Sequence, residues 1–127
     1  MKILIFFALA AMPAASFKCK KSSHTTPDEY LQGKVIRISC ASFIVQVLNN
    51  DTIGEDGWKD MMNNNAQYDN VFNASNTCKI PSGVKAGATI KFKVEKPTAN
   101  DCVVCMMYDG PPNTKYDIKE MTIVEKQ

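Results

Sequence analysis

Histidine is almost missing from this 127-residue chain, with His24 the single copy. Cysteine–histidine and serine–histidine catalysis need a positioned imidazole and histidine-rich zinc sites need several, so the composition speaks against all three. Long apolar runs are lacking as well. The longest, Ile3 to Met12, has ten residues, about half of the 20 or so that cross a bilayer. Neither sign of charge is in excess: from Cys19 onward thirteen basic side chains face thirteen acidic ones. Without a basic field, nucleic acid held by phosphate neutralisation is not an expected partner. No internal repeat or second-domain break occurs. With 45% hydrophobic and 22% charged residues, the composition is that of one small globular domain.

What is present first is an address. Met1 and Lys2 make a basic start, the apolar run follows, and Pro13, Ala14, Ala15 and Ser16 supply small residues for cleavage, the order of an export signal. Residues 1–18 are read as a signal peptide, 19–32 as a flexible tether and 33–127 as a single β domain. Two mature starts stay open: Phe17 after cleavage behind Ser16, or Cys19 as a lipid attachment point. The polar stretch from Lys20 to Pro27 resembles the tether of bacterial lipoproteins, and two acyl chains would anchor it stably in the membrane. Phe17 and Lys18 depart from the small residues usual before a lipidated cysteine. The expected location is the periplasm or cell surface.

Five cysteines, Cys19, Cys40, Cys78, Cys102 and Cys105, leave one over in an exported chain. A lipid on Cys19 resolves the parity and leaves four for two disulfides. Cys102 and Cys105 have C-x-x-C spacing, yet they sit in the β-rich run Val103, Val104, Met106, Met107 and Tyr108 instead of at a helix start, where a thiol pKa is lowered. On an extended strand, residues three apart face opposite ways. Each is therefore expected to bridge to Cys40 or Cys78, with both connectivities open. Haem attachment fails because Met106 stands where histidine is required.

Along the domain, Lys34 to Leu48 is dense in β-branched residues and bends near Cys40 to Ser42, which predicts two strands. Trp58, Met61 and Met62 fall at i, i+3 and i+4, which predicts a short helix within Gly54 to Met62. A brief strand is expected around Val71 and Phe72. Ile90, Phe92 and Val94 alternate with Lys91, Lys93 and Glu95, the pattern of a strand with one wet face. Asp101 to Tyr108 reads as a central strand, apolar on both faces. Lys115 to Val124 closes the domain with a last alternating strand. Five or six short strands and one helix predict an all-β fold, leaning to a small OB-like barrel, with a two-sheet β-sandwich as the alternative.

The segments GKVIRISCASFIVQVLN (Gly33 to Asn49), GEDGW (Gly54 to Trp58), YDNVFNASNTCKIP (Tyr68 to Pro81) and CVVCMMYDGPPNTKYDI (Cys102 to Ile118) resemble small exported or lipid-anchored proteins of Bacteroidota. The resemblance implies an exported β-rich domain and carries no catalytic residue with it.

Several clusters invite chemistry. Asp51, Glu55, Asp56 and Asp60 look like a calcium loop, but Ile53 falls at a ligand position; a solvated loop is the simpler reading. Met61, Met62, Met106 and Met107 could suit Cu(I) as soft ligands, against plain core packing. Between Lys79 and Lys96 five lysines face one acid, read as a solvated strand face. The sequons at Asn50 and Asn73 would mark surface loops. No cofactor or metal site is expected. A ligand-facing surface is expected around Tyr68, Tyr108 and Tyr116, with Asp109 and Asn113 nearby, while Trp58 completes the core. Rings beside amides and carboxylates suit a glycan or a peptide. The leading function is a non-enzymatic binding module of the envelope, tethered through its lipid. The alternatives are a thiol-redox or copper-handling protein using Cys102 and Cys105, and then a small hydrolase.

Overall fold

The computed structural model of the protein describes residues 29–124; the signal segment, Cys19 and most of the tether lie outside the described residues. Seven strands follow in chain order: β1 (Leu31–Ile38), β2 (Phe43–Val47), β3 (Trp58–Asp60), β4 (Ala66–Tyr68), β5 (Val71–Ala74), β6 (Thr89–Glu95) and β7 (Lys115–Val124). A single 3-10 turn, Thr77–Lys79, lies between β5 and β6. Strands β1-β2-β5-β7-β6 close into a barrel, while β3 and β4 make a separate two-stranded sheet. Every barrel pair is antiparallel except β5 with β7. Counted within the barrel alone, the order is 1-2-3-5-4 with the fourth strand returning to the first, a five-stranded Greek-key barrel of the OB type. The expected all-β barrel is the fold, and the sandwich is not.

Alternation builds the interior. Leu31, Val35, Val45, Val47, Phe72, Ile90, Phe92 and Ile118 point inward and form the main core. Phe72 sits at its centre, 5.9 Å from the Phe92 ring and edge-on to Tyr116 at 5.4 Å. Gly33 is where β1 lets its neighbours touch: a Cβ there would lie 2.7 Å from Val45 Cγ1 and 2.8 Å from Phe92 Cε1. The barrel also starts earlier than the sequence boundary. Leu31 and Gln32, assigned to the tether, already pair with Phe92 and Lys91 of β6.

A second, smaller apolar cluster lies outside the barrel wall. Ile44, Trp58 and Val71 are buried there, with Ile36 and Tyr68 against them. The β3–β4 hairpin supplies Trp58 and Tyr68 and so covers the outer face of β2 and β5.

Four expectations fail. Trp58–Asp60 is strand and not helix, paired with Ala66–Tyr68. Burial there has period two, with Trp58 and Asp60 inside and Met61 and Met62 exposed. The chain reverses through Asn64 and Asn65 at φ 50° and 56°, a left-handed conformation that asparagine tolerates better than most residues. Asp101 to Tyr108 is no strand: it is a loop between β6 and β7, and its apolar residues lie in the open. Met61, Met62, Met106 and Met107 are exposed and not packed in the core. Asn73 lies in β5 and not in a surface loop; it is buried, and its Oδ1 accepts the Phe43 N–H at 3.1 Å.

Candidate functional site

In OB-type barrels the working surface is the face of the second and third barrel strands, with the loops joining strands one to two and four to five. Here the strand face is occupied by the chain's own hairpin. The corresponding loops are Ser39–Ser42, between β1 and β2, and the long segment between β6 and β7.

Two disulfides brace these loops. Cys40 bridges Cys105 with 5.5 Å between Cα atoms, and Cys78 bridges Cys102 with 5.3 Å. Each half of the C-x-x-C pair thus joins a different partner, as expected, and the connectivity left open is settled. The strand argument behind that expectation does not hold, because the segment is a loop whose ends are drawn to the β1–β2 corner and to the 3-10 turn. The Cys105 N–H also donates to the Cys40 carbonyl at 3.2 Å. The start of the segment is clamped as well. Asp117, buried on β7, accepts from Thr98 N and Oγ1 at 3.0 and 2.8 Å and from the Ser75 hydroxyl. Burial pushes the Asp117 carboxyl up, and the Ser75 and Thr98 hydrogen bonds outweigh it, leaving it below its ordinary value.

From Val103 to Tyr108, within and just beyond the two bridges, the loop presents apolar side chains to solvent. Val103 is 94% exposed and Tyr108 81%, Met106 is fully exposed, and Val104 and Met107 are about half exposed. Met61 and Met62 of the β3–β4 turn add two more exposed apolar side chains.

Beside this rim lies a cleft of about 430 Å³, with Ile38, Met62 and Met107 in its wall and Arg37, Asp60 and Asp109 at its floor. Such a volume is in the range of small-ligand sites, roughly 300–1,000 Å³. Arg37 reaches the floor because of a bulge. Val35 pairs with Val45, but Arg37 pairs with Ile44, so Ile36 is the extra residue and the strand's parity flips after it. Without that flip Arg37 would point into the barrel. With it, the guanidinium stands 5.4 Å from the Trp58 ring centre and bridges two acids. Nη1 pairs with Asp60, while Nη2 donates to the Asp109 carbonyl at 2.7 Å and lies 3.4 Å from its carboxylate. Ser39 and Ser42 hydroxyls donate to Asp109 Oδ2 at 2.5 and 2.6 Å. Gly110, at φ 64°, turns the chain so that its carbonyl accepts the Trp58 indole N–H at 3.0 Å.

Asp109 is only 1% exposed. Burial pushes its carboxyl up, but the two serine hydrogen bonds and the Arg37 charge outweigh this and hold it below its ordinary value. Ser39 and Ser42 act as donors that orient this carboxylate. Among the described residues, no group of three or more His, Cys, Asp or Glu is arranged to hold a metal.

The expected aromatic surface is not assembled. Tyr116 packs on Phe72 in the barrel core, Tyr68 leans on Trp58 at 6.0 Å outside it, and Tyr108 stands alone in the exposed loop. Asp60, expected as a solvated loop acid, is instead buried against Arg37. No motif or spacing in the sequence singles out Arg37, Ser39 and Ser42 as site residues. One signal was available: Arg37 is the sole arginine beside fourteen lysines, and arginine in place of lysine suits a forked pair with carboxylates.

Compared with known proteins, the chain matches no family model, no curated protein and no solved structure.

Proposed function

We propose that the protein is an exported binding module of the cell envelope, tethered through a lipid on Cys19, that engages its ligand through the disulfide-braced rim and is not an enzyme. One observation carries the reading: five apolar side chains between Val103 and Tyr108 are held in solvent on a loop pinned at two points. Contiguous exposed apolar surface on a small domain marks an interaction site. Bracing lowers the entropy lost when the loop binds. Two disulfides suit an oxidising compartment, and the resemblance to exported Bacteroidota proteins points the same way. The thiol-redox and copper readings need Cys102 and Cys105 as a free pair, whereas each is bridged elsewhere.

The rim is tested in the native host by a photo-crosslinking residue placed at Met106 or, as control, at the exposed Lys91 of β6. A defined adduct is expected from position 106 and none from 91, and Val103→Asp with Val104→Asp should abolish it. Equal adducts from both positions, or an adduct indifferent to the aspartates, would overturn the reading. The anchor is tested by mass spectrometry of the native N-terminal peptide. A diacylated Cys19 is expected, and a peptide beginning at Phe17 refutes it.

A further inference from the structure

Both disulfides end on one short segment. Cys102 and Cys105, three positions apart, hold separate partners, Cys78 and Cys40. Lys96 to Thr114 forms no helix or strand, so no ladder fixes the direction in which either cysteine points. Cys78 is the exposed member of its bridge, and Cys102 is half-buried. The Cys78 N–H also donates to Cys102 Sγ at 3.3 Å. A hydrogen bond to sulfur favours its thiolate, and the sulfur that carries charge more readily is the better leaving group. Attack on the exposed Cys78 therefore expels Cys102.

Little packing opposes a movement of the segment that follows. Val103, Val104, Met106, Met107 and Tyr108 stand in solvent, so releasing the loop uncovers no core. Its flanks keep their own anchors: Thr98 on Asp117 and Asn100 on the Ser75 carbonyl before it, and the buried Asp109 and Pro112 after it. Joining Cys102 to Cys105 returns conformational freedom to the stretch between these anchors, which favours the exchange.

Going beyond the reading of the rim, and whatever the rim binds, we infer that Cys78–Cys102 is a site of thiol–disulfide exchange with a dithiol of the kind a thiol oxidoreductase carries, and that the exchange unpins the loop. One thiolate of the dithiol attacks Cys78 Sγ; the bond between the sulfurs breaks and Cys102 leaves as a thiolate. The second thiol resolves the mixed disulfide and releases Cys78, so the dithiol is oxidised by two electrons to its disulfide. The Cys102 thiolate then attacks Cys105 Sγ, forms a Cys102–Cys105 bridge and displaces Cys40, with no net change in electrons. The chain ends with one disulfide and two thiols, Cys40 and Cys78, which carry the two protons of the dithiol.

The test uses the full exported chain with its disulfides intact. Free thiols, Cys19 included where it carries no lipid, are first blocked with iodoacetamide. A brief pulse of glutathione then marks the sulfur it attacks, because a monothiol has no second thiol to resolve the mixed disulfide. Acid and N-ethylmaleimide stop the exchange, and tryptic peptides are mapped without reduction. Trypsin leaves Cys102 and Cys105 in one peptide and Cys40 and Cys78 in two others. Glutathione is expected on Cys78, maleimide on Cys40, and an internal disulfide in the peptide of Cys102 and Cys105. In this product the Cys105 N–H, which donates to the Cys40 carbonyl at 3.2 Å in the oxidised form, should lose its protection against hydrogen exchange. Glutathione on Cys40 with maleimide on Cys78 would show that the other bridge is the one attacked. Maleimide on Cys102 would show cleavage without exchange. Either result, an absence of any glutathione adduct, or a Cys105 amide as protected after the exchange as before it overturns the inference.

Discussion

Replacing Cys40 and Cys105 together by alanine is expected to destabilise the barrel by about 4 kcal/mol, and replacing Cys78 and Cys102 by about 3 kcal/mol, from loop-closure entropy. The ranking follows from chain separation, 65 residues for the first bridge and 24 for the second, since a longer closed loop removes more freedom from the unfolded chain. Against the roughly 5–15 kcal/mol of a typical domain, either loss is severe. The first also frees the β1–β2 corner from the rim loop, because the Cys105 to Cys40 backbone hydrogen bond would have to hold alone. Urea unfolding of the two double variants checks both size and order. A larger loss from the shorter bridge, or losses under about 1 kcal/mol, would contradict the entropic account.

Arg37→Ala is expected to cost about 3–5 kcal/mol at neutral pH, the penalty for stranding buried charge. It removes the cation shared by Asp60 and Asp109, both nearly inaccessible, and the contact with Trp58. The pH dependence gives a second check. In the native protein Asp109 and Asp117 are held below their ordinary values, so the stability they contribute is full above the unfolded carboxylate pKa and is lost as pH falls through their lowered values. In the variant Asp109 no longer has Arg37 beside it, so protonation relieves an unpaired charge instead of breaking a pair. The gap between native protein and variant should therefore narrow from pH 7 towards pH 3. Denaturant midpoints across that range measure it, and a gap constant with pH, or a cost under about 1 kcal/mol, would show that Arg37 does not neutralise Asp109. Arg37→Lys should fall between, keeping the charge without the fork.

Legibility in the sequence followed burial. Strands with one face inside and one in water declare themselves by period two, and Ile90, Phe92 and Val94 against Lys91 and Lys93 mark β6 within a residue of its observed bounds, Thr89–Glu95. The last strand, expected over Lys115 to Val124, is found there. The bend at Cys40 to Ser42 was likewise readable, since β-branched runs flank a small-residue corner.

Where apolar character and burial part company, the same rules misread. Trp58, Met61 and Met62 have helical spacing, but only Trp58 is buried, so that period runs through two side chains that belong to the surface. The segment from Cys102 to Tyr108 has a core strand's composition and stands in solvent, because what holds it is covalent bracing and not packing.

From the sequence alone, then, come the all-β class, the barrel lean and the strands that wall the core. These depend on local periodicity, which is written residue by residue. The tertiary structure alone decided which cysteine meets which, the covering of the β2–β5 face by a hairpin, and the meeting of Arg37 with Asp60 and Asp109 across 23 and 72 residues. The physical reason for the last is the bulge at Ile36. One unpaired residue reverses the inside and outside of everything after it on the strand, and its position is set by how β1 registers against β2, not by any pattern within β1.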